Sequence, residues 1–361
     1  MKNIYKVSLS VFLLISIFGF VFNTTHITHP YIIDLSNSVL EQPNIPADNA
    51  LTQEGVQLGR LLFYDSILSY NFKQSCSSCH IQSLSFSDGK KLAIGTFGDT
   101  LSTNSMSLVN LAWQKNFFWN GRKHSLESLV EEPLYNNIEM GINDSILEYR
   151  LNNHKYYPIL FSKAFNTKYI KLELVSKALA QFMRTIVYKP IHLPNEVLNT
   201  PTDGLTEHTY TKHFLDSLTP RGLYFRFALM CGSCHVNDVY GNYDYMASNE
   251  LTSYDKLIKI PSLVNILGTA PYMHDGRFKD LKEVFEHYEE HIDSLLIKNP
   301  QVVLAGKFKR VKIPNMIKEY DKQHADLFFK YLADTSIATK KELSNPFNDI
   351  TFQWKNEIER F

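Results

Sequence analysis

The four cysteines of this chain constrain what it can fold into more than any other feature. They fall in two copies of one pattern, Cys-x-x-Cys-His, and the 361 residues contain no other cysteine. The copies are Cys76-Ser77-Ser78-Cys79-His80 and Cys231-Gly232-Ser233-Cys234-His235. The pattern is the attachment signature of c-type haem: one helical turn presents two thiols to the haem vinyl groups, and the next residue brings an imidazole to the iron.

The sequence therefore predicts two covalently bound haem c groups, one in each half of the chain. The predicted attachment residues are Cys76, Cys79, Cys231 and Cys234, and the predicted iron ligands are His80 and His235. Three other uses of the cysteines are weaker. A thioredoxin-like redox pair needs no following histidine, a four-thiolate zinc site would have to join two distant pairs, and a disulfide within Cys-x-x-Cys strains the bond geometry.

The N-terminus indicates export. Lys2 and Lys6 precede an uncharged run, Val7 to Phe22, which is typical of a signal peptide. Residues 1–22 are therefore a signal peptide or an uncleaved N-terminal membrane anchor, and either places the rest of the chain in the periplasm. Residues 23–46 are expected to be a linker. Lys+Arg and Asp+Glu are equal at 37 each, so we expect no nucleic-acid partner.

Helical periodicity dominates the remaining sequence and predicts a mainly α fold with two cytochrome c-like haem domains in tandem. We expect helices over Leu51–Phe63, from Ser125, over Glu173–Val187 and Arg221–Met230, and from Asp280, with irregular segments at Phe86–Asn110 and Pro190–Gly204. Asp280 and Glu283 form a capping box. The predicted domains are 47–168 and 169–345, followed by a tail over 346–361. Beyond the two haem motifs, the internal repeat is weak.

Seven segments together resemble one known family, the bacterial diheme cytochrome c peroxidases and their relative MauG. Besides the two haem motifs they are Gly59-Arg60-Leu61-Leu62-Phe63-Tyr64-Asp65, Phe86-Ser87-Asp88-Gly89, Phe118-Trp119-Asn120-Gly121-Arg122, Ile138-Glu139-Met140-Gly141 and Ala270-Pro271-Tyr272-Met273-His274-Asp275-Gly276-Arg277-Phe278. Their order and spacing agree with the family from about Leu51 to Tyr288.

The resemblance implies roles for individual residues. The first haem would be the peroxidatic one, with Glu139 as the distal acid–base group; without the resemblance, Glu139 would be taken for a surface carboxylate. Trp119 would lie between the haems and relay electrons, a role compatible with a core aromatic. The second haem would transfer electrons, and its distal ligand position falls on Tyr288, with Met273 as the rival. A calcium ion between the domains would bind Asn104 and the carbonyls of Thr269 and Pro271, because calcium prefers oxygen ligands.

Three positions depart from the family pattern. Many family peroxidases carry a histidine in the loop after the first haem, but no histidine occurs between Ile81 and Lys123. We therefore expect a first haem that is five-coordinate or water-bound at rest and needs no reductive activation. The family's distal glutamine is Leu129 here, and its arginine before Asn104 is Thr103.

Three functions follow as hypotheses. The first is reduction of hydrogen peroxide with electrons from a small cytochrome c or copper protein. The second is a MauG-like oxidation of a residue in a partner protein. The third is a non-enzymatic diheme electron carrier. The resemblance also suggests a homodimer.

Overall fold

The protein is mainly helical, as the sequence predicts. The computed structural model describes residues 27–36, 38, 40–188, 231, 235, 246–247, 257–298, 328–330, 332–349 and 351–360. Within them the main helices are α1 (Gln53–Tyr64), α2 (Leu126–Tyr135), α3 (Asp144–Asn152), α4 (Tyr157–Phe165), α5 (Leu172–Arg184), α6 (Leu281–Lys298) and α7 (Trp354–Arg360). Strands β1 (Met246–Ala247) and β2 (Ile258–Lys259) pair antiparallel, Met246 opposite Lys259.

Several predicted segments lie outside the described residues. They are the export segment 1–22, the connection Pro190–Gly204 and the predicted helix Arg221–Met230. In the part of the chain that is described, no helix is both long and apolar enough to cross a membrane.

Helices α1 and α5 form the centre of the first half of the chain. Helix α1 begins two residues later than predicted, because the Thr52 side chain caps it by accepting from the Gly55 N–H. Its Gly59 meets α5 so closely that a Cβ there would lie 1.9 Å from the Ala178 carbonyl oxygen. Glycine is therefore required for this helix crossing.

Helix α5 confirms the predicted apolar stripe, but it is shorter than expected. It ends at Arg184, where Thr185 donates its backbone N–H to Phe182 and Met183. The stripe residues Val175, Ala178, Leu179 and Phe182 are buried in one large hydrophobic cluster with α1, α2 and α4. Ile186 remains in that cluster after the helix has ended.

The predicted helix starts at Ser125 and Asp280 are also confirmed. Ser125 caps α2 by accepting from the Ser128 N–H at 3.1 Å. The Asp280 carboxylate accepts from the Glu283 N–H at 3.0 Å at the start of α6. The Glu283 side chain returns to the N–H of Lys279, at 2.7 Å, rather than to that of Asp280.

Part of the predicted linker is packed. The Tyr31 N–H donates to the Leu51 carbonyl at 3.0 Å, and the Gln53 N–H donates to His29 at 2.8 Å. A small apolar cluster packs this N-terminal segment against the first half of the chain. The cluster contains Ile33, Leu40, Leu51 and Val187.

An internal repeat extends well beyond the two haem motifs, in contrast to the weak repeat expected outside them. Ser-Leu-Val-Asn occurs at 107–110 and at 262–265, at the same distance after each haem-motif histidine. Both asparagines, Asn110 and Asn265, have a left-handed backbone conformation, and each immediately precedes a short 3₁₀ helix. Positive φ values then recur at matching positions, Phe118 with Met273 and Gly121 with Gly276. The two halves therefore share backbone conformation as well as motif order.

The C-terminal segment returns to the first half of the chain. Arg60 on α1 donates to the carbonyls of Lys341 and Ser344, both at 2.8 Å, and the Tyr64 hydroxyl donates to Leu343 at 2.6 Å. Ile337 and Leu343 belong to the same hydrophobic cluster as α1 and α5. The domain boundary near residue 168 stays a prediction, and α5, which lies beyond it, packs mainly on α1.

Candidate haem sites and the cavity between them

The first Cys-x-x-Cys-His segment forms a tight turn. Cys76–Ser78 is a 3₁₀ helix, and the His80 N–H donates to the Cys76 carbonyl at 3.0 Å. Ser75 precedes the turn and donates its backbone N–H to the Ser78 hydroxyl oxygen at 3.1 Å. Cys76 and Cys79 form no disulfide. The turn therefore presents two thiols and one imidazole from neighbouring positions.

The His80 ring is oriented by a backbone carbonyl. Its Nδ1–H donates to the Phe86 oxygen at 2.9 Å, which leaves Nε2 as the ring atom that would bind iron. Burial lowers the pKa of His80. A neutral imidazole held in one orientation is the form that coordinates iron.

The second motif repeats this arrangement. The His235 N–H donates to the Cys231 carbonyl at 2.7 Å, and its ring Nδ1–H donates to the Pro261 carbonyl at 2.8 Å. Burial lowers the pKa of His235 to about 4. The fourth predicted attachment residue, Cys234, lies outside the described residues.

Both histidines line one continuous cavity of about 620 Å³, within the size range of cofactor sites. Cys76 and Cys79 line it too, and much of the remaining wall is apolar, including Phe63, Leu108, Val109, Leu111, Phe117 and Leu179. Two thiols, a carbonyl-oriented imidazole and an apolar wall are the donor set and surroundings that covalently bound haem requires. The residues present therefore fit haem.

Glu139 lines the same cavity near the first motif. It lies in the turn after α2, where Gly141 has a φ of 61°. Burial raises the pKa of Glu139, opposed by a hydrogen bond from Asn136 and by the charge of Arg122. The Asn136 amide donates to the carboxylate at 3.3 Å. The predicted acid–base group is thus a half-buried carboxyl facing the cavity with a raised proton affinity.

Trp119 lies where the two halves of the chain meet. Its indole Nε1–H donates to the Asn104 carbonyl at 2.9 Å, and its own carbonyl accepts from the Lys259 N–H at 2.7 Å. The Asn104 N–H donates to the His274 carbonyl at 2.8 Å. Trp119 and His274 occupy matching repeat positions, and their rings meet edge to face, 6.4 Å between centroids.

The three predicted calcium ligands, Asn104, Thr269 and Pro271, line the same cavity. The Asn104 amide nitrogen donates to the carbonyls of Lys90, at 2.8 Å, and Lys91, at 3.3 Å. These bonds leave its side-chain oxygen as the atom for a cation. Calcium binding stays a prediction.

The two rivals for the distal position of the second haem lie in different places. Met273 lines the cavity, with a φ of 71°. Tyr288 is half-buried on α6 beside His287, with 5.6 Å between ring centroids, and is not among the described residues that line the cavity. Both assignments stay predictions.

Two of the departures from the family pattern, Leu129 and Thr103, also line the cavity. Sequence reasoning missed Lys259, which is buried, lines the cavity and donates from its ammonium group to the Gln114 amide oxygen. A lysine flanked by two isoleucines gives little signal, because such a pattern usually places the lysine at the surface.

These features first define a class of protein. Two buried imidazoles, each turned by a backbone carbonyl and each ending a Cys-x-x-Cys-His motif, share an apolar cavity, which is the arrangement of a c-type haem protein.

The chain belongs to the family of di-haem cytochrome c peroxidases and MauG proteins. The family profile described as "Di-haem cytochrome c peroxidase" matches residues 53–192. A methylamine utilization protein MauG from Methylorubrum extorquens is 31% identical over 264 residues, covering 67% of this chain and 70% of that protein. The cytochrome-c peroxidase IdrP1 from a Pseudomonas species is 26% identical over 290 residues, covering 68% and 74%.

Solved structures show the same fold. A MauG-like protein associated with microbial copper homeostasis matches with a TM-score of 0.68 at 25% identity, covering 86% of this chain and 97% of that one. The diheme peroxidase BthA from Burkholderia thailandensis matches with a TM-score of 0.56 at 14% identity, over 86% and 96%, which is a likeness of fold alone. The protein is therefore an oxidoreductase with two haem groups, in a family of periplasmic c-type cytochromes.

Proposed function

We propose that the protein reduces hydrogen peroxide to water at its first haem site, with electrons that reach the second site from a small cytochrome c or copper protein. The observation that carries the proposal is Glu139, a half-buried carboxyl of raised pKa that faces the His80 cavity. Iron in the bound haems supplies the redox chemistry. The chain supplies ligands, orientation, proton transfer and the exclusion of water.

The proton steps fall to Glu139. Peroxide needs one proton removed from one oxygen and one delivered to the other, and a single carboxyl within reach can do both in turn. A raised pKa suits this role, because the group must release its proton as readily as it takes one up near neutral pH. His80 contributes Nε2 to the iron, and its bond to Phe86 keeps the ring in the orientation for ligation.

Trp119 is the residue best placed to connect the two sites. Its ring lines the cavity that His80 and His235 share, and hydrogen bonds from both halves of the chain fix it. We infer that Trp119 is the aromatic bridge between the haem sites. Calcium held by Asn104, Thr269 and Pro271 would join the halves at the same place.

A MauG-like oxidase is the second candidate. The absence of histidine between Ile81 and Lys123 and a tyrosine at position 288 favour it, and two relatives that each cover about two thirds of the chain are named MauG. Such an enzyme would oxidise a residue of a partner protein instead of accepting electrons from a small donor. Steady-state turnover with reduced cytochrome c or copper protein as donor separates the two functions.

The first experiment is EPR of the ferric protein, repeated after addition of peroxide without reductant. An open first site gives a high-spin signal that peroxide removes. Two low-spin signals that peroxide leaves unchanged would mean either that an additional ligand closes the first site or that the protein is a diheme electron carrier, and a repeat after one-electron reduction tells which. The same spectra test whether the first haem needs prior reduction.

Replacement of Glu139 tests the proton-transfer role. Glu139→Gln keeps size and hydrogen bonding but cannot exchange a proton, so turnover should fall by about 10²-fold or more. The control is Glu131→Gln, the same change on the preceding helix. Equal turnover in the two variants would remove Glu139 from the mechanism.

We also propose that the chain works in the periplasm, as a soluble or N-terminally anchored protein and in a homodimer. Domains 47–168 and 169–345, with the tail 346–361, are proposed as its units. Fractionation of cells that express the full chain tests the location, and analytical ultracentrifugation tests the dimer.

A further inference from the structure

Residues 94–100 form a small turn that closes on the segment carrying Glu139. Ile94 and Thr100 pair as an isolated bridge, and the Gly95 N–H donates to the Asp99 carbonyl at 2.8 Å. A Cβ on Gly95 would lie 1.4 Å from the Ile138 carbonyl oxygen, so only glycine allows this approach. The turn is therefore in close contact with the backbone of Ile138, the residue before Glu139.

Thr96 connects this turn to Glu139 directly. Its backbone N–H donates to the Glu139 carbonyl at 2.8 Å, and the threonine is only 6% exposed. The next residue, Phe97, covers Gly141 on the far side of Glu139. Both ends of the Glu139 turn are therefore in contact with the 94–100 turn.

Asn71 holds Thr96 from the other side, with a reciprocal pair of hydrogen bonds. The Thr96 hydroxyl donates to the Asn71 side-chain oxygen at 2.5 Å, and the Asn71 amide donates to the Thr96 carbonyl at 2.8 Å. Gln74 adds a bond from its side-chain amide to the Ile94 carbonyl at 2.7 Å. Asn71 and Gln74 lie shortly before Cys76, so their hydrogen bonds tie the Glu139 turn to the backbone that carries the first haem motif. We call the reciprocal pair of bonds between Asn71 and Thr96 the Asn71–Thr96 latch.

We propose that Thr96 and Asn71 are positioning residues, which act through the backbone of Glu139 to hold its carboxyl at the first haem site. The inference rests on the proposed function and adds two residues that neither the motifs nor the resemblance identify. The turn keeps its own bonds, Gly95 to Asp99 and Gly98 to Gly95. Loss of the latch should therefore displace the turn as a unit, without unfolding it.

The experiment compares four single variants. Thr96→Val removes the hydroxyl and keeps the shape, Thr96→Ser keeps the hydroxyl, and Asn71→Ala removes both bonds of the pair. Thr100→Val is the matched control, because it makes the same chemical change at an exposed position of the same turn. The holoproteins are mixed with peroxide in a stopped-flow instrument across a range of pH, and thermal unfolding is followed in parallel.

We expect Thr96→Val and Asn71→Ala to react with peroxide about tenfold more slowly, because a small displacement of a catalytic group costs up to about 10²-fold. Their pH–rate curves should shift to lower pH, since a displaced Glu139 is less buried. Thr96→Ser and Thr100→Val should behave like the wild type. In a Glu139→Gln background, Thr96→Val should have no further effect, because coupled residues are not additive.

Two outcomes overturn the inference while leaving the proposed function intact. One is an unchanged rate and pH curve in Thr96→Val and Asn71→Ala. The other is a further tenfold loss when Thr96→Val is added to Glu139→Gln. No reaction with peroxide in the wild type is a different failure, that of the proposed function itself.

Discussion

At the scale of single residues, the pKa of Glu139 is set by burial and by side chains from several segments of the chain. Burial raises its pKa, the Asn136 amide and the charge of Arg122 lower it, and Glu132 raises it again. Arg122 is held in place by Glu132 at 2.7 Å and lies over the Phe118 ring at 3.7 Å. The pKa of Glu139 therefore depends on the charge of Arg122, which a substitution can remove without changing Glu139 itself.

The pH dependence of peroxide reduction should follow this balance. Glu139 must be ionised to accept a proton, so the rate should rise with pH through a pKa above the ordinary glutamate value. Arg122→Gln removes a charge that lowers the pKa of Glu139, so this rise should move to higher pH. Stopped-flow rates between acidic and neutral pH measure the shift.

Lys123→Gln is the control, because it removes the neighbouring positive charge, which lies 4.0 Å from Glu132. It should leave the curve nearly unchanged. A rise that persists in Glu139→Gln would assign the titration to another group.

At the scale of helices, the close crossing of α1 and α5 is the contact on which the first half depends. Gly59 lies against backbone, the carbonyl of Ala178, whereas Gly55 on the same helix lies against the end of the Gln181 side chain. The end of the Gln181 side chain can move away from an added methyl group by giving up its bonds with Thr52 and Asn49, but a helix backbone cannot move.

Gly59→Ala should therefore destabilise the protein by about 3 kcal/mol, the upper range for overpacking a close contact. Helix propensity alone predicts the opposite sign, a gain of about 1 kcal/mol. Gly55→Ala serves as the comparison and should be the milder change. Denaturant unfolding of the two variants measures both, and stabilisation by Gly59→Ala would show that the crossing is looser than described.

The ion pair between Glu127 on α2 and Arg184 at the end of α5 should contribute stability that depends on pH. Burial raises the pKa of Glu127, but bonds from Arg184 and Asn49 and the charge of Arg184 outweigh it and hold the pKa below its ordinary value. Because the folded-state pKa is the lower one, this stability is present above the unfolded-state pKa. It is lost as pH falls through the folded-state pKa.

Glu127→Gln should cost about 3 kcal/mol at neutral pH, since Arg184 is left buried without its partner. The difference from wild type should shrink in acid, where the wild-type carboxyl is protonated too. Glu173→Gln, which removes an exposed carboxylate from its pair with Lys177, should cost less than about 1 kcal/mol. Equilibrium unfolding at neutral and acidic pH tests both values.

At the scale of the whole molecule, the C-terminal segment packs on the first half of the chain. Residues 335–349 pack on the first half of the chain, and residues 351–354 join an aromatic cluster in which Trp354 stacks on Tyr156 with 5.2 Å between ring centroids. Arg60, which the sequence comparison placed in a family motif, holds this segment by hydrogen bonds to its backbone. That motif therefore connects α1 to the C-terminal segment.

Arg60→Ala should loosen the C-terminal segment and leave both haem sites intact, because Arg60 does not line the cavity. Limited proteolysis should cut the variant near residues 341–344 faster than the wild type, with unchanged haem absorbance. Lys341→Ala, which keeps the carbonyl that accepts from Arg60, is the control and should be cut at the wild-type rate. Equal cutting of Arg60→Ala and wild type would mean that apolar packing alone holds the segment.

Features that depend on local spacing could be predicted from the amino-acid sequence. The Cys-x-x-Cys-His turns, the caps at Ser125 and Asp280 and the stripe on α5 were predictable, because each depends on residues within one or two turns of one another. The mainly α fold and the family followed from the same local patterns. Helix ends shifted by a few residues, as at Gln53 and Arg184, because capping bonds decide them.

Contacts between residues distant in the chain could not be predicted and became visible in the folded protein. The shared cavity of His80 and His235, the buried Lys259 and the Asn71–Thr96 latch bring together residues far apart in the chain. The edge-to-face contact between Trp119 and His274 was equally hidden, although the repeat at 107–110 and 262–265 was a signal in the sequence. Such contacts depend on how packed helices and loops fix the backbone in space, which no local periodicity encodes.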